Sequence, residues 1–164
     1  MSTGSAEDQR AWATLVEMVH DYSGHASPRL KPWPTDAPLL TRIIALLSAF
    51  GELVWLDLCG YIGFRAVIST VARTPLAARS VSYDALALVR VAVRDACLYY
   101  VKPVHCLQRS AAVTRLLRRR GIPAQLVIGY QPMPVHGHAW VELHGKVVWD
   151  HLSQLPFFRV LDRI

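Results

Sequence analysis

Apolar residues recur along this chain with two periods, and the change from one to the other near residue 123 divides it. Before that point they return every three or four positions, as on one face of a helix; after it they alternate, as in a half-buried strand. Over Asp8 to Tyr22, the residues Trp12, Leu15, Val16 and Val19 share one stripe, which predicts a short helix ended by Gly24. Residues 1–7 read as disordered, and Ser27 to Pro38, with four prolines, reads as an extended linker. From Ala37 to about Val71 the chain turns strongly apolar. Arg42, Glu52 and Asp57 interrupt this stretch, and its longest uncharged run, Ile43 to Gly51, falls far short of the ~20 residues a bilayer requires. Two buried or half-buried helices are predicted here, broken near Gly60.

Ser82 is placed to cap a helix running to about Tyr99, with Leu86, Val89, Val93 and Leu98 at helical spacing. Pro103 stops it, and another helix begins at Cys106. Leu107, Ala111, Leu116 and Leu117 can face a core, while Arg115, Arg118, Arg119 and Arg120 crowd the far end. Cations there suit the negative end of the helix dipole, so the simplest reading is a solvated helix end, with an acidic peptide as an alternative occupant. Gly121 and Pro123 supply a cap and a stop.

Beyond this helix, Ala124 to Tyr130, Ala139 to Leu143 and Val147 to Asp150 are predicted strands, Gln131 to Gly137 a loop, and His144-Gly145 a hairpin turn. Leu155 to Ile164 is an apolar tail able to add one more strand. Helices followed by a small antiparallel sheet make an α+β fold. Residues 1–36 are expected to be an extension and residues 37–164 the main domain.

With 164 residues there is room for one core and hardly for two. The formal charge of +6 favours acidic partners, yet basic residues are not interleaved with aromatics, and no nucleic-acid-binding signature occurs. Nucleic acid is therefore not an expected partner. Cys59, Cys97 and Cys106 are odd in number and irregularly spaced, as in a reducing compartment, and Met1 to Arg10 is polar and acidic rather than a secretory signal. A cytoplasmic location is expected, and membrane contact through the apolar helices is a minor alternative.

Candidate chemistry centres on Val104-His105-Cys106-Leu107-Gln108-Arg109-Ser110. A cysteine in the first turn of a helix gains thiolate stabilisation and free N–H groups for an oxyanion. An imidazole can take its proton and return it to a leaving amine, and a carboxylate can hold that imidazole in the correct tautomer. His138 and Asp150 are the candidates for these roles. Burying Ala139, Val141 and Leu143 together with Val147 and Trp149 places His138, Trp140, Glu142, Val148 and Asp150 on the other face. His138 and Asp150 then share a face only if the hairpin loop has odd length or a bulge compensates. Plainer readings stand beside each: Cys106 as a small buried hydrophobe, Asp150 as a turn residue, Glu142 as a solvated strand residue. His136 and His138 could also join a metal site with His144 or Cys106, but no closed ligand set is evident, and no metal or other cofactor is expected. Cys59 and Cys97, inside apolar helical stretches, read as structural.

The joint pattern Cys106-Leu107-Gln108-Arg109-Ser110, Leu116-Leu117-Arg118-Arg119-Arg120-Gly121-Ile122-Pro123-Ala124 and His138-Ala139-Trp140-Val141-Glu142 resembles the B proteins of lasso-peptide biosynthesis, a branch of the transglutaminase-like cysteine peptidases. The resemblance covers about Asp84 to Asp150. It implies a transglutaminase-like, papain-like core, with Cys106, His138 and Asp150 at the family's catalytic positions. It further implies a stand-alone leader peptidase acting on a precursor peptide. The expected partners are a separate leader-recognition protein and an ATP-dependent macrolactam synthetase. Two alternatives remain open at this level: amide transfer or deamidation by the same triad, and a non-catalytic scaffold built on the apolar helices.

Overall fold

The computed structural model describes residues 37–76, 82–149 and 155–164. The helix expected over residues 8–22, most of the proline-rich linker, and Asp150 lie outside the described residues.

Among the described residues, four helices precede a four-stranded antiparallel sheet, so the α+β expectation holds. Helix α1, Leu39–Ile62, runs unbroken for 24 residues. The break expected near Gly60 falls at Gly63 instead. Gly60 stays helical, whereas Gly63 adopts φ 131° and ψ 171°, a conformation essentially closed to residues with a Cβ. Helix α2, Phe64–Ala72, starts directly after it. By length and composition α1 could cross a membrane, but it also serves as a core helix. Ala45, Ala49, Leu53 and Leu56 are buried in the central cluster, while Leu47, Trp55 and Leu58 are exposed.

Helix α3, Tyr83–Tyr99, opens as predicted: the Ser82 hydroxyl accepts the Ala85 N–H at 3.4 Å. Leu86, Val89 and Val93 are buried, but Leu98 is 61% exposed because the final turn runs past the edge of the core.

Helix α4, Cys106–Arg119, packs against all three other helices and two strands, and Ala111, Ala112, Val113 and Leu117 on it are fully buried. Its C-terminus is a Schellman motif. Gly121, at φ 79°, donates its N–H to the Arg118 carbonyl at 2.9 Å, and Ile122 donates to the Leu117 carbonyl at 3.0 Å. The arginine cluster departs from expectation, since Arg115 and Arg118 are buried rather than solvated. Arg115 and Arg119 both pair with the buried Glu52 carboxylate of α1. Arg118 donates to four backbone carbonyls: Ala124 at 2.7 Å, Val71 at 3.0 Å, Thr74 at 3.4 Å and Ile164 at 2.7 Å. One side chain thus satisfies the C-terminal end of α2, the start of the sheet and the last residue of the chain. A guanidinium has five fixed donors and can do this; a lysine could not.

The sheet order is β3-β2-β1-β4, with β1 at Ala124–Gln131, β2 at His136–Leu143, β3 at Lys146–Trp149 and β4 at Arg159–Arg163. The apolar tail therefore does add an edge strand, reached through a 3₁₀ turn at Leu155–Phe157. Ala139, Val141 and Leu143 face the helices, as the alternation predicts. The β2–β3 turn has two central residues, His144 at φ 50° and Gly145 at φ 74°, the positive values a type I′ hairpin needs. Glu142 pairs with Val147, but Val141 pairs with Trp149, so a bulge adds one residue to β3. Of the two devices that would let His138 and Asp150 share a face, an odd-length loop or a bulge, the hairpin has the bulge. It also changes one assignment: Val148, expected on the outer face, is fully buried in the core, while Val147 is only half-buried.

Candidate active site

Cys106 is the first residue of α4, and His105 before it places no side chain on the helix's leading N–H groups. Those groups are left for the sulfur and for whatever it attacks. The Cys106 thiol is half-buried and shares a hydrogen bond with the His138 ring. That bond is the main cause holding its pKa below the ordinary thiol value of 9.0. Burial opposes it, and the backbone N–H groups of Ala139 and Leu107, together with the charge of His138, reinforce it. Two of the three residues expected at the centre are thus brought together. The third, Asp150, follows directly after the last described residue of β3.

The approach of His138 to Cys106 is set by two devices. Ser110, one turn into α4 and fully buried, donates its hydroxyl to the Ala139 carbonyl at 2.9 Å, tying the helix to β2 beside the histidine. On the outer face of β2, the His138 ring is 6.4 Å from His136 and 6.2 Å from Trp140, both stacked, and 5.2 Å from the tilted ring of Phe158. Trp140 in turn donates its indole N–H to Glu142 at 2.9 Å, and Glu142 pairs with Arg163 on β4 at 3.2 Å. Glu142 is therefore buried and engaged, not a solvated strand residue. Gly129, opposite His138 on β1, has to be glycine: a Cβ there would stand 2.8 Å from the Trp140 ring.

On the other side of the α4 N-terminus, Gln108 donates to the Leu53 carbonyl at 3.1 Å and to Asp57 Oδ1 at 2.6 Å. Lys102 meets the same oxygen at 3.0 Å, and the Tyr100 hydroxyl donates to Oδ2 at 2.8 Å. Burial alone would raise the Asp57 pKa, but the bonds from Tyr100, Lys102 and Gln108 and the charge of Lys102 outweigh it and lower the value from 3.8. Burial, then the bond to Asp57, pushes Tyr100 up to about 12, so this phenol keeps its proton and remains a donor. Cys97 is pushed up by burial, and Cys59 is buried 3.6 Å from Thr70, which suits their structural reading.

Sequence reasoning did not assign roles to Ser110, Gln108, Asp57 or Phe158. The first two stand inside the motif around Cys106, where their spacing from the cysteine was the available signal; Asp57 and Phe158 arrive from distant elements. The His144 of the metal alternative lies at the hairpin turn, at the opposite end of β2 from His138. Among the described residues no three His, Cys, Asp or Glu side chains converge as a metal site. A cavity of about 690 Å³ is lined by Glu52, Arg73, Arg115 and Arg119 among others, and includes neither Cys106 nor His138.

A cysteine at a helix N-terminus, hydrogen-bonded to a histidine on an adjoining antiparallel strand, is the kind of pairing that thiol-dependent acyl transfer uses. The chain belongs to the transglutaminase-like superfamily, whose model matches residues 49–163. It is also similar to the microcin J25-processing protein McjB of Escherichia coli, at 47% identity over 45 residues, covering 27% of this chain and 22% of that protein. The resemblance to the lasso-peptide B proteins drawn from the sequence is borne out by these two matches. The matched stretch is thus less than a quarter of the curated relative's length. No solved structure matches the chain.

Proposed function

We propose that this protein is a cysteine peptidase that removes the leader from a lasso-peptide precursor before the macrolactam ring is closed. The observation that carries the reading is the Cys106–His138 hydrogen bond at an uncapped helix N-terminus, which lowers the thiol's pKa. The similarity to a microcin J25-processing protein supports this choice of substrate.

In this mechanism the Cys106 thiolate attacks the carbonyl at the leader–core junction, and a C–S bond forms as the carbonyl becomes a tetrahedral oxyanion. The Cys106 backbone N–H, at the positive end of the helix dipole, stabilises that oxyanion. His138, carrying the thiol proton, delivers it to the departing core amine as the C–N bond breaks. It then removes a proton from water, which hydrolyses the thioester and releases the leader. Asp150 orients His138, a role that rests on the family pattern and on the bulge in β3. No step calls for a metal. The other components of the reaction are a separate leader-recognition protein and an ATP-dependent macrolactam synthetase acting on the freed amine. We place the reaction in the cytoplasm, a setting supported by three unpaired thiols.

The test is mass spectrometry of a lasso-peptide precursor incubated with a leader-recognition protein and either wild type or Cys106→Ala. Cleavage at one bond by wild type alone is expected. An intact but deamidated precursor would replace hydrolysis by the transfer alternative. Cleavage retained by purified Cys106→Ala would sink the assignment.

A further inference from the structure

Gly60 stands inside α1, where glycine costs about 0.5–1 kcal/mol relative to alanine. A Cβ at this position would meet nothing within 4 Å, so internal packing does not require the glycine. What its missing side chain leaves open is a cleft of about 370 Å³ between α1 and the start of α4. Leu56, Phe64, Val67 and Leu107 give the cleft apolar walls, and Tyr61 stands at it 85% exposed. The chain itself joins this cleft to the reaction centre. His105 and Leu107, both lining it, are the peptide neighbours of Cys106, with Cα atoms about 3.8 Å from its own. Asp57, the one carboxylate among the described lining residues, is already engaged by Gln108, Lys102 and Tyr100, so these residues present no uncompensated carboxylate. Its volume lies near the low end of the roughly 300–1,000 Å³ typical of ligand sites, room for one large side chain rather than a folded segment.

We propose that this cleft is the specificity pocket of the Cys106 centre and receives one uncharged, apolar or aromatic side chain of the substrate peptide. The bound residue lies one or two positions from the carbonyl under attack. The Asp57 network fixes the pocket's shape before substrate arrives, and Gly60 keeps it empty. The inference rests on the nucleophilic role of Cys106 proposed above.

Two sets of peptidyl acyloxymethyl ketones, one varied at the residue bearing the reactive carbonyl and one at the residue before it, test it directly, since the thiolate forms a C–S bond and expels the carboxylate whether or not a natural substrate is at hand. Labelling of Cys106 is followed by peptide mapping, with iodoacetamide as the reagent that carries no side chain. In the wild type, the leucyl and phenylalanyl reagents of one set should label at least tenfold faster than its glycyl and aspartyl ones. Gly60→Leu should reduce that ratio to about one, with a thermal midpoint at or above wild type. Equal rates for all side chains on a protein that iodoacetamide labels readily would overturn the pocket and leave the nucleophile intact. A preference that survives in folded Gly60→Leu would overturn it too. Failure of iodoacetamide to label Cys106 would remove the nucleophile, and the pocket proposal with it.

Discussion

The two ends of α4 are built to opposite specifications. At the C-terminus, the Schellman motif and the Arg120 guanidinium give donors to the Leu116, Leu117 and Arg118 carbonyls, the buried Arg118 ties the helix to four carbonyls of neighbouring segments, and Arg115 and Arg119 lock it to α1 through Glu52. At the N-terminus no side chain caps the helix, and the first residue is a half-buried thiol bonded to a histidine from the sheet. An element with one end over-determined can afford an unsatisfied other end. Stability is concentrated where the arginines are, and reactivity where the helix dipole has nothing else to neutralise it.

Changes at the two ends should therefore separate activity from stability. The largest effect belongs to the open end. Cys106→Ala and His138→Ala should each lower precursor cleavage by on the order of 10³-fold or more, while their urea midpoints stay near wild type. Asp150→Ala should be less severe. At the closed end, Arg118→Leu removes a donor from four carbonyls at once, although those of Val71 and Ile164 keep the backbone N–H groups of Thr74 and Leu126. It should destabilise the fold by about 3–5 kcal/mol in urea titrations, with iodoacetamide reactivity of Cys106 preserved wherever the variant remains folded. Gly129→Ala sharpens the contrast from the sheet side. It forces the Trp140 ring away from a Cβ at 2.8 Å and should cost about 1–3 kcal/mol. Because Trp140 stacks beside His138, it should also slow cleavage.

The smallest effect is an acid dependence. Asp57 has a lowered pKa in the folded protein, so its contribution to stability is complete above the unfolded value near 3.8 and disappears as pH falls through the folded one. Urea midpoints should drop more steeply below about pH 4 in wild type than in Asp57→Asn. Parallel slopes would remove Asp57 from the network's energetics.

Local signals carried much of this architecture. Gly121 after the last apolar position located the end of α4, because only a residue free to take positive φ closes a Schellman turn. The alternation of β2 was sufficient to put His138, Trp140 and Glu142 on one face. That alternation also required a register device in the next hairpin, and the bulge at Val148 supplies it. The failures share a cause. Whether Arg118 reaches water or carbonyls depends on Val71, Thr74 and Ile164, which are more than 40 positions away. Periodicity cannot show where a core ends: Leu98 keeps the helical spacing of Val89 and Val93 yet is exposed. Nor can it foresee that Phe158, arriving from the tail, would stand against the His138 ring. The Asp57 network beside the α4 N-terminus is likewise assembled from three separate segments.

The most direct test of the open end is the pH dependence of Cys106 alkylation by iodoacetamide, read by peptide mapping in wild type and His138→Ala. With the histidine bond as the main force lowering the thiol, the wild-type midpoint should lie below the ordinary thiol value of 9.0 and move up toward it in the variant. A wild-type midpoint at or above that value, unmoved by His138→Ala, would contradict an activated Cys106.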